Sequence, residues 1–239
     1  MRWRKPEEIA DDAIALERAG AKYLFLTDSA FNAHPDQSLS VAKAFKAAGL
    51  SIPWGGFFAP TRMPDGYFDT MADCGCKHVE FGTEALCDPV LKAYGKPFTV
   101  EQVYETHARA NAAGLHVAHY FLFAGPGESE ETVAASLSNI DKLEKTVLFL
   151  FCGMRIYPHT ALYEIAIQQG QFEASQSILE PVFYRPPAIG ISRAAEMIAA
   201  HARGRDNWVQ GAGGDDTSDI LNRMYRKGFT GPLWEYLIR

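Results

Sequence analysis

The sequence has no apolar run that approaches the roughly 20 residues needed for a membrane-spanning helix, and its first residues are charged rather than signal-like. It also lacks an excess of basic residues. The formal net charge is −6, which argues against a nucleic-acid partner, because phosphate binding needs clustered Lys and Arg. We therefore predict a cytoplasmic protein with no membrane span and no nucleic-acid partner.

Cysteine is scarce, and the four that are present are poorly spaced for metal binding. Cys74 and Cys76 form a Cys-Gly-Cys pair, whereas zinc and iron–sulfur sites usually separate paired ligands by two or more residues. Cys87 and Cys152 lie in or beside apolar stretches. We expect reduced, mostly buried thiols in a chain too long to be a disulfide scaffold, and we assign no metal ligand.

The sequence does contain a regular alternation of helical and strand-like segments. Residues 5–20 place Pro6 in the first turn and end at Gly20, as helices do. Short, continuous apolar runs separate such segments and are typical of strands that are buried on both faces. These runs are KYLFLTD, IPWGGFF, KHVEFGTE, HVAHYFLFAG and VLFLFCGMRIYP. Strict alternation of this kind predicts a parallel sheet, either a barrel or an open doubly wound sheet.

No strand is followed by a G-x-G-x-x-G turn, so the dinucleotide-binding version of the open sheet loses its main support. Because the first predicted element is a helix, we predict an α/β fold, a partial parallel (β/α) barrel of the TIM-barrel type that lacks its first strand. After Glu164 the sequence becomes Pro-rich and non-periodic. We assign residues 1–164 to the barrel and residues 165–239 to a C-terminal, mostly helical extension.

Ligands of parallel α/β folds bind where strands end at their carboxyl side, and two acids lie at such exits. Glu84 directly follows FGT, where it could accept hydrogen bonds from ribose hydroxyls or simply be a helix-start carboxylate. Asp28 follows the first predicted strand, and its structural alternative is an Asx turn. The residues alone leave both alternatives open.

The turn AGPGES follows the fourth predicted strand. Gly125 and Gly127 allow a ligand to approach the backbone closely, and the amides that open the next helix are hydrogen-bond donors. Alternatively, Pro126 and Gly127 only make the turn, and Glu128 with Ser129 caps the helix.

Arg155, at the end of the fifth predicted strand, could bind a carboxylate at the same rim or form a structural ion pair. His119 lies in an apolar strand, and a hydrogen-bonded core histidine is the favoured interpretation. No Ser-His-Asp or Cys-His arrangement can be assigned from the spacing. No strand exit offers the lysine that an aldolase would need.

Several ordered motifs, FLTDSAFN, FGTEAL with VLKAYGKPFTVEQV, FLFAGPGESEETV and MRIYPHTALYE, together resemble radical S-adenosylmethionine enzymes. The resemblance is greatest to the branch that carries a cobalamin-binding domain ahead of the barrel, and it covers about Pro6 to Glu164. The ending RMYRKGFTGPLWEYL is similar to the C-terminal tail of that branch. The resemblance implies a 4Fe-4S cluster and S-adenosylmethionine at the carboxyl ends of the strands, with a deoxyadenosyl radical or, with cobalamin, methyl transfer as the outcome.

The resemblance also implies a role for each candidate residue. Asp28 would lie near the amino group of the cofactor, Glu84 near its ribose and Arg155 near its methionyl part. The turn that contains Gly125, Pro126, Gly127 and Glu128 would lie near the adenine.

One part of the family pattern is missing: the Cys-x3-Cys-x2-Cys loop that would precede the helix beginning near Pro6. Without three thiolates a cluster has no protein ligands. We therefore expect the chain to be the C-terminal portion of a radical S-adenosylmethionine enzyme, inactive alone, with a sheet edge that invites self-association. The alternative is a non-catalytic barrel that binds a ligand or partner through its rim.

Overall fold

The computed structural model describes residues 3–173, 176–177, 179–211 and 215–238. Six parallel strands form one sheet in the order β1-β2-β3-β4-β5-β6 within these residues. The strands are β1 (Leu24–Leu26), β2 (Trp54–Phe58), β3 (Cys76–Glu84), β4 (His116–Phe123), β5 (Thr146–Cys152) and β6 (Trp208–Gln210). This confirms the predicted α/β fold with a partial parallel barrel.

Helices connect the strands, and several of them cover the outer face of the sheet. They are α1 (Pro6–Arg18), α2 (Pro35–Ala47), α3 (Tyr67–Asp73), α4 (Asp88–Ala93), α5 (Val100–Ala112), α6 (Glu130–Ile140), α7 (Ala161–Gln168), α8 (Ile191–Ala202) and α9 (Asp215–Arg226). Two helix starts follow directly from the sequence, since the side chains of Thr99 and Ser129 cap α5 and α6 through reciprocal capping boxes. Among the described residues, every helix is too short or too polar to span a lipid bilayer.

The two faces of the sheet differ in burial. Phe58, Phe81 and Phe121 point to the helices and are at most 1% exposed. On the inner face, the ring of Tyr120 stacks on that of Phe149 with centroids 4.7 Å apart, and both are only half-buried. The main core therefore lies between sheet and helices, and the barrel interior keeps accessible aromatic surface.

The structure differs from the sequence-based prediction at the end of the fifth strand and in having a sixth strand. The fifth strand ends at Cys152, earlier than predicted, because Gly153 adopts a positive φ of 99°. Strand β6 comes from the C-terminal part of the chain and pairs with β5, which the sequence did not predict. The boundary after Glu164 stays a prediction, but residues beyond it help to form the sheet.

A short segment, residues 233–238, packs into the amino-terminal mouth of the barrel, and we call it the C-terminal plug. It contains a 3-10 helix over Trp234–Leu237. The indole nitrogen of Trp234 donates a 2.8 Å hydrogen bond to Oε1 of Glu80, and the hydroxyl of Tyr120 donates to Oε2 at 2.7 Å. Both oxygens of a buried carboxylate are thus satisfied inside the barrel.

Candidate functional site

The exits of β3, β4 and β5 surround a cavity of about 250 Å³. Its lining includes Glu84 from β3, Pro126 from the turn after β4 and Met154 from the loop after β5. Lys96 also lines the cavity, and its Nζ lies 3.2 Å from Oε1 of Glu84. Three consecutive strand exits therefore contribute to one concave site, which is where parallel barrels bind ligands.

The backbone at this rim is strained. Glu84 and Ala124 have positive φ values of 65° and 66°, which residues other than glycine rarely adopt. The register between β3 and β4 also shifts between Gly82 and Glu84, as it does at a bulge. Such strain recurs at ligand-binding sites, because the surrounding structure must hold it in place.

The turn Gly125–Glu128 packs tightly against the rest of the rim. A Cβ atom at Gly125 would overlap the ring of Tyr94, so only glycine fits there. The carboxylate of Glu128 is 2% exposed, and its Oε2 accepts a 2.9 Å hydrogen bond from the Gly125 amide. Burial raises the pKa of Glu128 above its ordinary value. Glu128 therefore faces into the fold and closes the turn.

Arg155 has a partly unsatisfied side chain. Its Nε is buried and has no hydrogen-bond partner, and within the described ranges no carboxylate pairs with its guanidinium. The guanidinium lies over the ring of Tyr157, 4.9 Å from the centroid. The structural ion pair considered from the sequence is not formed with a described residue. Arg155 is not among the residues that line the cavity, although it directly follows Met154, which is.

Asp28 is not brought together with the other candidates. It is exposed and lines a separate cavity of about 420 Å³ with Trp3, Ser38 and other residues of the first two helices and their loops. Since β1 and β3 are separated by β2 in the sheet, the side chains of Asp28 and Glu84 belong to different parts of the rim.

His119 is confirmed as a hydrogen-bonded core histidine. Its Nδ1 lies 2.7 Å from the hydroxyl oxygen of Thr83, and its Nε2 lies 2.9 Å from Nδ1 of His107. Burial lowers the pKa of His119 well below its ordinary value, so the ring is neutral at physiological pH. It contacts the helix-facing core and plays no part in the rim.

Sequence reasoning missed two rim residues, Tyr94 and Lys96. Both lie in VLKAYGKP. The signal that could have indicated them is that a tyrosine and a lysine follow the candidate acid Glu84 by only about ten residues. The hydroxyl of Tyr94 donates a 3.1 Å hydrogen bond to the Leu122 carbonyl, which fixes the ring beneath the turn.

The four cysteines do not fit an iron–sulfur cluster. Cys74 and Cys76 are buried at the amino end of β3, whereas Cys87 and Cys152 lie near the opposite end of the sheet. Burial raises the pKa of the Cys152 thiol to about 11, which disfavours the thiolate that binds iron. No cluster chemistry can therefore be assigned to these thiols; Cys74 and Cys76 are buried, whereas Cys87 and Cys152 are only partly buried.

The chain is similar in sequence to known proteins. The Radical SAM superfamily model matches residues 1–140. An uncharacterized methyltransferase of Pyrococcus horikoshii is 27% identical over 169 residues, which cover 70% of this chain and 37% of that protein. The chain therefore spans well under half of the length of this curated relative.

Solved structures show the same fold. TsrM, a radical S-adenosylmethionine methyltransferase from Kitasatospora setae with cobalamin and a 4Fe-4S cluster bound, has a TM-score of 0.82 and 19% identity, covering 98% of this chain and 53% of that one. The cobalamin-dependent radical enzyme OxsB has a TM-score of 0.52 and 14% identity, covering 97% of this chain and 40% of that one. The fold and the family match agree, and the chain belongs to the Radical SAM superfamily.

Proposed function

We propose that the carboxyl rim of this barrel binds S-adenosylmethionine, and that the chain forms the cofactor-binding barrel of a cobalamin-dependent radical S-adenosylmethionine methyltransferase. One observation carries the proposal: Glu84, Pro126 and Met154 come from three consecutive strand exits and line one cavity. The family match and the relation to cobalamin-dependent methyltransferases support it. The methyl group and, after one-electron reduction, a deoxyadenosyl radical are what S-adenosylmethionine supplies when it is bound.

Each rim residue has a proposed task that suits its chemistry. The carboxylate of Glu84 accepts hydrogen bonds from the two ribose hydroxyls, for which it exchanges its contact with Lys96. Arg155 is a pure donor with a buried, unpartnered Nε, and it binds the carboxylate of the methionyl part. The turn that contains Gly125, Pro126 and Gly127 lies against the adenine, and the ring of Pro126 lines the cavity there. Asp28, in its separate cavity, is the weakest member of this set, and its contact with the cofactor amino group stays a prediction.

The cysteines of this chain set a limit on its own activity. Because the described thiols do not form a Cys-x3-Cys-x2-Cys loop, we propose that radical cleavage needs cluster ligands that these residues do not supply. By itself the chain would bind the cofactor without cleaving it. The proposal includes a reducing, cytoplasmic location, which the free thiols support, and self-association through β1, which is an edge strand of the described sheet.

The substrate would lie below the cofactor, against the inner face of the barrel. There the half-buried ring of Tyr120 contacts the half-buried rings of Phe57 and Phe149, with centroids 6.0 Å and 4.7 Å away. An aromatic surface of this kind suits a flat or apolar substrate group.

The test is calorimetric titration of the chain with S-adenosylmethionine. We expect saturable binding by the wild type, and a loss of about 1.5–3 kcal/mol, or roughly 10- to 150-fold in Kd, for Glu84→Gln and for Arg155→Met, because each removes hydrogen bonds to a charged group. Glu105→Gln is the matched control, since Glu105 is exposed on α5 and away from the rim. Absence of saturable binding by the wild type, or equal binding by all variants, would contradict the proposal.

A non-catalytic, ligand-binding role for the same rim is the second candidate function, and it is favoured by the positions of the four thiols, which do not form a cluster site. A reconstitution experiment distinguishes this binding protein from the enzyme. The chain is mixed with iron, sulfide and a reductant, and deoxyadenosine is measured, with and without an added segment that carries the three-cysteine loop. Deoxyadenosine only with the added segment supports the enzyme, and none in either case supports a binding protein.

A further inference from the structure

Two histidines and a glutamate, residue types that commonly bind metal ions, meet at the amino-terminal mouth of the barrel, at the opposite end from the rim. His78 of β3 and His116 of β4 are direct partners in the parallel register, so both rings lie on the same face, with centroids 5.3 Å apart. Glu235 comes from the C-terminal plug. Its Oε2 lies 3.2 Å from Nε2 of His78 and 2.7 Å from Nδ1 of His116.

The nitrogen atoms of this cluster are poorly satisfied. Nδ1 of His78 is buried with no hydrogen-bond partner among the described residues, and Nε2 of His78 and Nδ1 of His116 lie at ion-pair distance from the Glu235 carboxylate without hydrogen-bond geometry. The side chain of His78 is only 5% exposed. A buried polar atom without a partner costs about 1–3 kcal/mol, so a cluster of such atoms around one carboxylate is unfavourable unless something else satisfies it.

A metal ion would satisfy all three groups at once. One ligand atom from each residue can be chosen so that all three lie within 4.8 Å of one another, which small side-chain rotations can close around an ion bonded at about 2.0–2.2 Å. Imidazole and carboxylate ligands suit zinc and neighbouring divalent transition metals. We propose that His78, His116 and Glu235 bind a divalent transition-metal ion, with zinc as the preferred occupant.

The site is distinct from the rim and has an open side. His78 and Glu84 are six residues apart on β3, which places them about 20 Å apart along the strand. The three ligands line a cavity of about 480 Å³ together with Tyr23 and Tyr236, so water can complete the coordination. Because Glu235 belongs to the C-terminal plug, the ion would fasten this segment to β3 and β4.

The first test is titration of metal-depleted protein with ZnCl2, followed by calorimetry and thermal unfolding. We expect one equivalent to bind and to raise Tm, since a ligand that binds only the folded state stabilises it. Glu235→Gln and His116→Ala should each weaken binding by more than about tenfold, as removal of even an indirect ligand partner does. His34→Ala, a change at an exposed histidine, is the control and should bind as the wild type does.

The outcomes are decisive in both directions. Unchanged zinc binding in both variants, or no saturable binding by the wild type, would overturn the proposal. If His116→Ala does not fold, the nearly isosteric Glu235→Gln decides alone. Cobalt absorption gives an independent readout: bands of a low-symmetry Co2+ site without thiolate charge transfer are expected, whereas a strong thiolate band would place the ion on cysteine and contradict the assignment.

Discussion

Both ends of the barrel contain buried side-chain nitrogens that make no hydrogen bond, but the nitrogens at the two ends suit ligands of opposite charge. At the carboxyl rim it is Nε of Arg155, a group that can only donate. At the amino-terminal mouth the atoms belong to His78 and His116, whose rings can offer a lone pair. The first arrangement suits a carboxylate and the second a metal cation. An unsatisfied atom therefore carries information on its ligand through its own donor or acceptor character.

The ends also differ in how they are closed. The rim stays open around its cavity, with strained backbone at Glu84 and Ala124. The centre of the mouth is closed by Trp234, which is 6% exposed and hydrogen-bonded to Glu80, while a cavity stays open beside it at His78, His116 and Glu235. The mouth thus has a packed indole at its centre, whereas the rim has strained backbone around its cavity.

The largest expected effect removes the closure of the mouth. Trp234→Ala should lower the free energy of unfolding by about 3–5 kcal/mol, because it leaves a cavity and removes a donor from the buried carboxylate of Glu80. Urea denaturation followed by circular dichroism measures this loss. Trp3→Ala is the control, since Trp3 is 47% exposed and should change stability by less than about 1 kcal/mol. If Trp234→Ala lowered the free energy of unfolding by no more than Trp3→Ala, below about 1 kcal/mol, the C-terminal plug would add no stability.

A smaller effect tests the strain at the rim. Glu84→Gly and Glu84→Ala both remove the carboxylate, but only glycine adopts the φ of 65° without cost. We expect the glycine variant to be more stable than the alanine variant by about 1 kcal/mol in chemical denaturation. Both should bind S-adenosylmethionine equally poorly. A glycine variant that is no more stable than the alanine variant would mean that no strain is stored at this residue.

The smallest effect is a pH dependence at the turn. Burial raises the pKa of Glu128, so between its ordinary value of 4.5 and the raised value the folded protein holds a proton that the unfolded chain has released. Wild-type stability is therefore lost as pH rises through this window. Glu128→Gln keeps an acceptor for the Gly125 amide but does not titrate.

The stability of Glu128→Gln relative to the wild type should accordingly increase from pH about 4.5 towards neutrality. Thermal unfolding across this range measures the change, and Glu105→Gln, with an exposed carboxyl, gives the baseline. A constant difference between Glu128→Gln and the wild type would show that the carboxyl titrates alike in both states.

Much of the fold could be predicted because its signals are local. Pro6, Thr99 and Ser129 each lie within one turn of the helix start that they mark, at α1, α5 and α6. The strand-exit rule likewise led to Glu84 and to the turn after β4, both of which border the rim cavity.

The remaining features depend on residues that are distant in sequence. Strand β6 has only three residues, and its pairing with β5 supplies the regularity that its own sequence lacks. The bond between Trp234 and Glu80 joins residues 154 apart. The cluster of His78, His116 and Glu235 likewise forms only when β3, β4 and the C-terminal plug meet, so spacing along the chain gives no sign of it.

The bond from Trp234 to Glu80 also has a consequence for synthesis in the cell. Chains are made from the N-terminal end, and domains fold as they emerge from the ribosome. The sheet can begin to pair as β1 to β5 appear, but the carboxylate of Glu80 keeps one oxygen without its indole donor until residue 234 has left the exit tunnel. The base of a nascent barrel therefore lacks this closing contact until residue 234 has been synthesised.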